Sequence, residues 1–411
     1  MPTKNLKIAY IHRTSFPSTE ANTFDSIWSA AALSEKVDTT FFVPRLKSSL
    51  SKLREYYEIV GSHLKLRSMH LNLIPDRLLL RFPSTYENLL SFYLHFHPKW
   101  AGFRGQKVLY VREPKELLYW GEKRANRKWM KDWILCYEAH DTLGLDPSFF
   151  LEVVSGNSPT NRTPIERRTL AAAQNFDLMI CNTQTLADDM RDWSNGLLKP
   201  HVITLASPLP RLERIPEIKF GENITVGYIG TIDKYRGVDI LLDAMKYLPE
   251  KIHLMIVGRF RIEQGVDPDW INKYNNDPQM MNRIEIRLVD QINDVAAEID
   301  KCDIVVQTAS HDVIDSRYAA PLKSYGYMMR GKPIIAGNVT SHHELFVDGQ
   351  SAALYDLDPK SLAECIMNLV NNVDLANKLA VNAWKQSSHY TFSRKVTDLL
   401  SLINFHIMEN R

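Results

Sequence analysis

Much of what narrows this chain of 411 residues is what it lacks. It has four cysteines, Cys136, Cys181, Cys302 and Cys365, and no C-x-x-C pair. Cys136 and Cys181 lie in apolar, strand-like runs, so buried reduced thiols are expected rather than a disulfide scaffold, and with them a cytoplasmic protein. No apolar run is long enough to span a bilayer, and the opening residues, MPTKNLKIAYIH, lack the hydrophobic stretch of a signal peptide. Net charge is almost absent at +2, which gives no whole-protein case for nucleic acid as a partner. No internal repeat or low-complexity segment is present. The close histidine pairs, His95-x-His97 and His342-His343, have no converging carboxylate or cysteine spacing, so no metal site is expected.

Hydrophobic residues at 45% and charged residues at 24% are globular values, and the length suits two domains with separate cores. Strands alternate with helices nearly throughout, which predicts an α/β fold with parallel sheets. The first half offers strands near Ile8, Thr40–Val43, Val108–Val111, Leu135–Glu138 and Leu178–Asn182. The second offers them near Thr225, Leu254, Glu285–Val289, Ile304–Gln307, Ile334 and Ala353–Tyr355. Prolines and charges at Ser207–Asn223 interrupt both periodicities and read as a linker. The end of the chain is helical by spacing.

The stretch Val226–Gly258 carries the sharpest signal. Val226–Ile229 is a short apolar run that Gly230 ends abruptly. Apolar residues then recur at helical spacing over Val238–Leu248, before a second buried run at His253–Val257. This is a βαβ unit whose loop holds Lys234 and Arg236 just before Gly237. A basic loop between a parallel strand and a helix N-terminus is an anion site, though the same residues also describe a solvated surface turn. Further on, Pro321-Leu322-Lys323 opens a helix that stops at Gly331, and Lys332-Pro333 leads into the strand Ile334–Ala336.

Together these two motifs resemble the donor half of family 4 glycosyltransferases, most strongly over 224–393. VLYVRE at Val108–Glu113, YEAHD at Tyr137–Asp141 and the loop FPSTEANTF resemble the acceptor half more weakly. The resemblance implies the GT-B architecture, two Rossmann-like domains with parallel sheets facing across a cleft. The expected domains are an acceptor domain over 1–207, a nucleotide-sugar donor domain over 208–390, and a C-terminal helix at 391–411 packing back on the first domain. It implies transfer of a sugar, with retention of configuration, from a UDP- or GDP-linked donor to a glycan or lipid-linked acceptor in surface-glycan synthesis. No cofactor is implied beyond the nucleotide sugar as co-substrate.

Residue by residue, the resemblance assigns His140, Arg236 and Lys323 to catalysis. The diphosphate leaving group gathers negative charge, and placed cations favour it. Donor contacts are expected from Gly230, Thr231, Lys234, Arg236, Pro321, Leu322, Lys323, Ser324, Tyr325 and Glu344. Acceptor contacts are expected from Asn22, Arg112, Glu113, Glu138 and Asp141; Asn22 reads equally as a helix N-cap, and His140 as a satisfied strand-end histidine. The chain departs from the family where acidic residues usually stand, at Gly326 and Tyr318. Ser324 or Tyr325 would then meet the ribose, and Gly326 would mark a close approach by ligand or backbone. That departure keeps open a non-catalytic nucleotide-sugar-binding subunit; a transferase acting on a small metabolite or a protein is the other alternative. Two segments, Pro44–Arg67 and Glu116–Trp133, interleave cations with aromatic or aliphatic residues. They point to peripheral contact at the inner face of a membrane, or else to ordinary helices whose tryptophans turn into the core.

Overall fold

In a computed structural model the structure describes residues 5–18, 21–59, 62–69, 84–148, 150, 162–233, 236–260, 268–271, 274, 277–278, 280–288, 294–311 and 313–410. The chain forms two compact units, one of residues 1–204 with 392–411 and the other of 205–391.

In the first unit the strands are β1 (Leu6–Ile11), β2 (Asp38–Val43), β3 (Lys65–Ser68), β4 (Gln106–Val111), β5 (Trp133–Ala139), β6 (Leu178–Cys181) and β7 (His201–Val202). They make one parallel sheet in the order β3-β2-β1-β4-β5-β6-β7. Central strands such as LKIAYI, apolar apart from Lys7, are buried along their whole length, as strands covered on both faces must be. The helices that matter below are α1 (Ala21–Ser34), α2 (Thr85–Phe96) and α3 (Pro114–Asn126).

The second unit holds β8 (Ile224–Ile229), β9 (Ile252–Gly258), β10 (Ile284–Leu288), β11 (Ile304–Gln307), β12 (Ile334–Gly337) and β13 (Ala353–Tyr355). Its parallel order is β10-β9-β8-β11-β12-β13. It contributes α4 (Val238–Ala244), α5 (Leu322–Met329) and α6 (Val373–Ser387), and the last helix, α7 (Phe392–Glu409), returns to the first unit. There Val396, Leu399, Leu400 and Ile403 enter the core beside Ile27 and Ala30 of α1. In each sheet the strand order reverses once, between β1 and β4 and between β8 and β11. The crevice outside the strand carboxyl ends at such a reversal is where this topology places ligands.

Two strands escape the sequence pattern: β3 is a polar KLRS edge and β7 only two residues long. The stretch read as a linker is instead packed on the second unit. Ser207 N donates to Tyr390 O at 2.9 Å, Leu212 N to Met329 O at 3.1 Å, and Ile218 N to Asn377 Oδ1 at 2.9 Å. Arg211 lies 3.7 Å over the Trp384 ring, and Ile218 and Phe220 pack on the core. Apolar residues among the prolines give this segment a surface to bury, which a free linker lacks.

Candidate functional site

At the reversal point of the second sheet, three chain segments approach too closely for side chains. A Cβ on Gly258 would lie 1.7 Å from Gly230 O, and one on Gly237 only 1.9 Å from Ala309 O. Gly230 (φ +151°) and Gly237 (φ +73°) also hold backbone conformations that side chains disfavour. The β8–α4 loop is thereby pinned between the ends of β9 and β11. Tyr228 closes it by donating to Thr231 O at 2.6 Å. Lys323 reaches across from α5, its Cδ 2.6 Å from where a Gly230 Cβ would stand and its Nζ donating to Tyr228 OH at 3.0 Å. Arg236 is half-buried and has no ion-pair partner among the described residues. Gly230, Thr231, Arg236, Pro321, Leu322 and Lys323 are thus gathered on one rim of the unit; Lys234 lies outside the described residues.

Other expectations for this rim need correction. Ser324 is fully buried and bonded to Gln307 Oε1 at 3.3 Å. Tyr325 is 3% exposed and its ring packs 4.8 Å from that of Tyr390. Both are enclosed because α5 is buried on every side from Ser324 to Met329, so neither is set to meet a ribose. A Cβ on Gly326 would meet Leu209 Cδ1 at 2.9 Å. Its missing side chain therefore makes room for an apolar residue of the connecting segment, and not for a ligand or a backbone. Tyr318 is likewise buried. Glu344 is exposed beyond the short helix Thr340–His343. Within that helix His342, read from the sequence only as half of a histidine pair, is buried. It is 4% exposed, with Nδ1 2.8 Å from Gly337 O, and burial, with help from the charge of Lys323, pushes its pKa down to about 4 against the pull of that carbonyl.

In the first unit the strand ends carry a buried network of charges. Arg112 follows β4, Glu138 and His140 close β5, and Asp25 comes from α1. Arg112 Nη2 pairs with Asp25 at 2.6 Å and its Nε with Glu138 at 3.5 Å. Lys395, from α7, reaches Glu138 Oε1 at 3.0 Å, Ser29 Oγ at 3.1 Å and Asp25 at 3.4 Å. Two acids face two bases, all four side chains at most 4% exposed. Burial alone would raise the Glu138 carboxyl, but Arg112 and Lys395 hold it well below the usual carboxylate range. Tyr110 OH donates to the same carboxylate.

His140 is the half-open member of this network, its side chain 26% exposed. Arg112 Nε donates to its Nε2 at 2.9 Å, while Glu138 Oε1 stands 3.2 Å from the same nitrogen. Arginine asks that nitrogen for a lone pair and the carboxylate asks it for a proton. Asn182 lies 3.4 Å from Nδ1 on the outer side. Asn22 sits inside α1, not at its cap, and donates to Glu113 Oε1 at 2.8 Å. Asp141 is exposed and accepts from Gly144 N at 3.2 Å, tied into its own turn beside the network.

Sequence reading found Arg112, Glu138 and His140 but missed Asp25 and Lys395. Nothing local marks Lys395, which lies 257 positions from Glu138. Asp25, Glu138 and His140 place ligand atoms within 4.8 Å of one another, a spacing that a metal ion could use. Arg112 and Lys395 already neutralise those two carboxylates, so the donor set does not favour a further cation. Of the segments read as membrane-facing, 116–133 turns Trp120 and Trp133 into the core and leaves Trp129 half-buried, while 44–67 buries Leu53, Tyr57, Leu64 and Leu66. Among the described residues no helix is long and apolar enough to cross a membrane.

Two Rossmann-like parallel-sheet units are the fold class of GT-B glycosyltransferases, and solved structures of that class superpose along nearly the whole chain. Anabaena HepE in complex with UDP and glucose covers 97% of this chain and 99% of its own, with a TM-score of 0.66 at 15% identity. Sucrose-phosphate synthase from Thermosynechococcus elongatus covers 98% and 100%, with a TM-score of 0.68 at 15% identity. At such identities the likeness is one of fold. Residues 223–372 match the family model described as Glycosyl transferases group 1. An uncharacterized glycosyltransferase of Methanocaldococcus jannaschii is 25% identical over 177 residues, 41% of this chain and 44% of that protein. The capsular polysaccharide biosynthesis glycosyltransferase CapM of Staphylococcus aureus is 22% identical over 195 residues, 46% of this chain and 48% of its own. The chain thus matches less than half the length of these curated relatives.

Proposed function

We propose that this protein is a retaining, metal-independent glycosyltransferase that moves a hexosyl group from a UDP- or GDP-linked donor to a glycan or lipid-linked acceptor, in surface-polysaccharide synthesis at the cytoplasmic face of a membrane. The observation that carries this reading is the rim of the second unit, where Lys323 crosses Gly230 and Arg236, without an ion-pair partner among the described residues, stands in the same glycine-pinned loop. Two cations on one rim stabilise the charge that a departing nucleoside diphosphate develops. His140, held between Arg112 and Glu138, offers its exposed edge to a sugar hydroxyl. No protein base is required, since the departing phosphate itself accepts the acceptor's proton on the face it leaves, and no protein nucleophile is assigned. The family-model match and the relatives' names support the reaction class.

The buried Gly326–Leu209 contact favours a second reading, a nucleotide-sugar-binding subunit without turnover, because no carboxylate is available there for ribose. One experiment separates the two. A thermal-shift panel of UDP- and GDP-sugars should identify a donor that stabilises the protein by about 2.7 kcal/mol at a hundred times its Kd. Arg236→Ala and Lys323→Ala should each weaken that donor by about 1.5–3 kcal/mol. NMR of the reaction should then show the anomeric configuration kept and the rate unchanged by EDTA. Donor binding without transfer to any acceptor selects the second reading; parent-like binding by both variants removes the site.

A further inference from the structure

The helix α2 presents an apolar face that the first unit leaves uncovered. Leu89, Phe92 and Phe96 are 40%, 66% and 60% exposed, and the two phenylalanine rings touch at 4.7 Å. At 100° per residue these three side chains form one stripe, with Asn88 and His95 along one edge and Tyr93 along the other. The buried face of the same helix, Tyr86, Leu90 and Leu94, accounts for its attachment to the unit, so the outer stripe does no work in the fold.

Cations border both edges. Asn88 Oδ1 accepts from Tyr119 OH at 2.8 Å, and Lys123 Nζ stands 2.9 Å from that hydroxyl, with Arg127 one turn further on and exposed. On the opposite edge the Arg67 guanidinium lies 5.2 Å over the Tyr93 ring, and exposed Lys99 follows the helix end. None of these four cations has an ion-pair partner among the described residues. The half-buried Trp129 packs 4.9 Å from His95, extending the aromatic surface toward the basic side. Exposed phenylalanines flanked on both sides by unpaired lysine and arginine suit a surface that is apolar within and anionic at its boundary.

We propose that this face of α2 docks on an anionic lipid bilayer, the phenylalanines entering the acyl boundary and the four cations meeting headgroup phosphates. The inference deepens the membrane-face reading above by naming the surface, and its test uses no catalysis, so either can fail without the other. The lipid is favoured over a protein partner because unpaired cations flank the stripe on both edges, as a continuous anionic plane requires.

Co-sedimentation of the full chain with vesicles is the test. The protein should bind vesicles of equal parts phosphatidylcholine and phosphatidylglycerol and should remain in solution with phosphatidylcholine alone. Phe92→Ser combined with Phe96→Ser should weaken binding by about tenfold or more. Arg67→Gln and Arg127→Gln should each weaken it about fivefold. All are exposed or half-exposed positions, and an unchanged melting temperature verifies the fold. If the double phenylalanine variant misfolds, Lys123→Gln with Arg127→Gln carries the test, because it leaves the apolar stripe intact. Absence of binding to anionic vesicles, or binding insensitive to both sets of variants, overturns the proposal. So does a parent dimer that the phenylalanine variant converts to monomer, which would make the face a protein interface.

Discussion

Replacing Lys395 with methionine probes the buried charge network most directly. Methionine nearly matches the length of the lysine stem and removes only its charge and donors. Asp25 and Glu138 would then share Arg112 alone, leaving one uncompensated negative charge at side chains no more than 2% exposed. Breaking a buried ion pair in this way costs about 3–5 kcal/mol, far more than an exposed pair would. Ser29 also loses its contact with Nζ at 3.1 Å. The sign of the pH dependence follows from Glu138, whose carboxyl is held well below 4.5 in the folded parent. Its contribution is present above 4.5 and fades as pH falls through the lower folded value. In the variant the carboxyl regains its proton more readily, so the gap between the two proteins should narrow in acid. Adding Asp25→Asn restores charge balance and should recover about 1–3 kcal/mol of the loss. Guanidinium unfolding of the parent, both single variants and the double variant provides the cycle. A loss below about 1 kcal/mol for Lys395→Met, or no recovery in the double variant, would refute the network.

Two further outcomes are expected from the second unit. Gly326→Glu should destabilise by about 1–3 kcal/mol or more, since its Cβ meets Leu209 at 2.9 Å and its carboxylate would be buried. Leu209→Ala should relieve part of that loss in a chemical denaturation series, and an independent, additive pair would show the contact to be unimportant. Buried His342 should make this unit acid-sensitive. The unfolded chain takes up its proton near 6.5 but the folded one only near about 4, so stability is flat above 6.5 and falls between those values. The loss approaches about 3 kcal/mol at the lower end. His342→Leu should flatten the melting-temperature profile over that range; an unchanged slope would assign the acid sensitivity elsewhere.

The parallel sheets were legible because buried strands such as Ile8–Ile11 and Ile304–Val306 are continuous apolar runs, and Gly230 marks where β8 ends. Gly230 and Gly237 were legible for the same local reason, since a turn and a close approach leave the choice of residue little freedom. The charge network was half-legible. Arg112, Glu138 and His140 stand at strand ends, inside the motifs VLYVRE and YEAHD, but Asp25 is one polar residue on an amphipathic helix and Lys395 one of many lysines. Their roles exist only once α7 lies on α1. Gly326 was misread because a vacancy in a helix does not say what fills it. Ser324 and Tyr325 were misread because their distance from Lys323 along the chain was short while the helix turned them inward. The stripe on α2 was passed over because NLLSFYLHF reads as an ordinary core helix until its outer face is found uncovered.

Lys395 also bears on how the first unit is completed. That unit is built from residues 1–204 and from 392–411, with the whole second unit between them in sequence. Val396, Leu399, Leu400 and Ile403 add apolar burial to its core, and Lys395 adds the second cation to its acid cluster. Without α7, two buried carboxylates would face one guanidinium, and the apolar side of α1 would be open. Loop closure across the intervening unit is made less costly by that unit's own fold, which shortens the effective distance its ends must travel. The chain end thus brings both hydrophobic surface and charge balance to the strand ends where His140 stands. Completing the unit and assembling the surroundings of His140 are, in this protein, the same step.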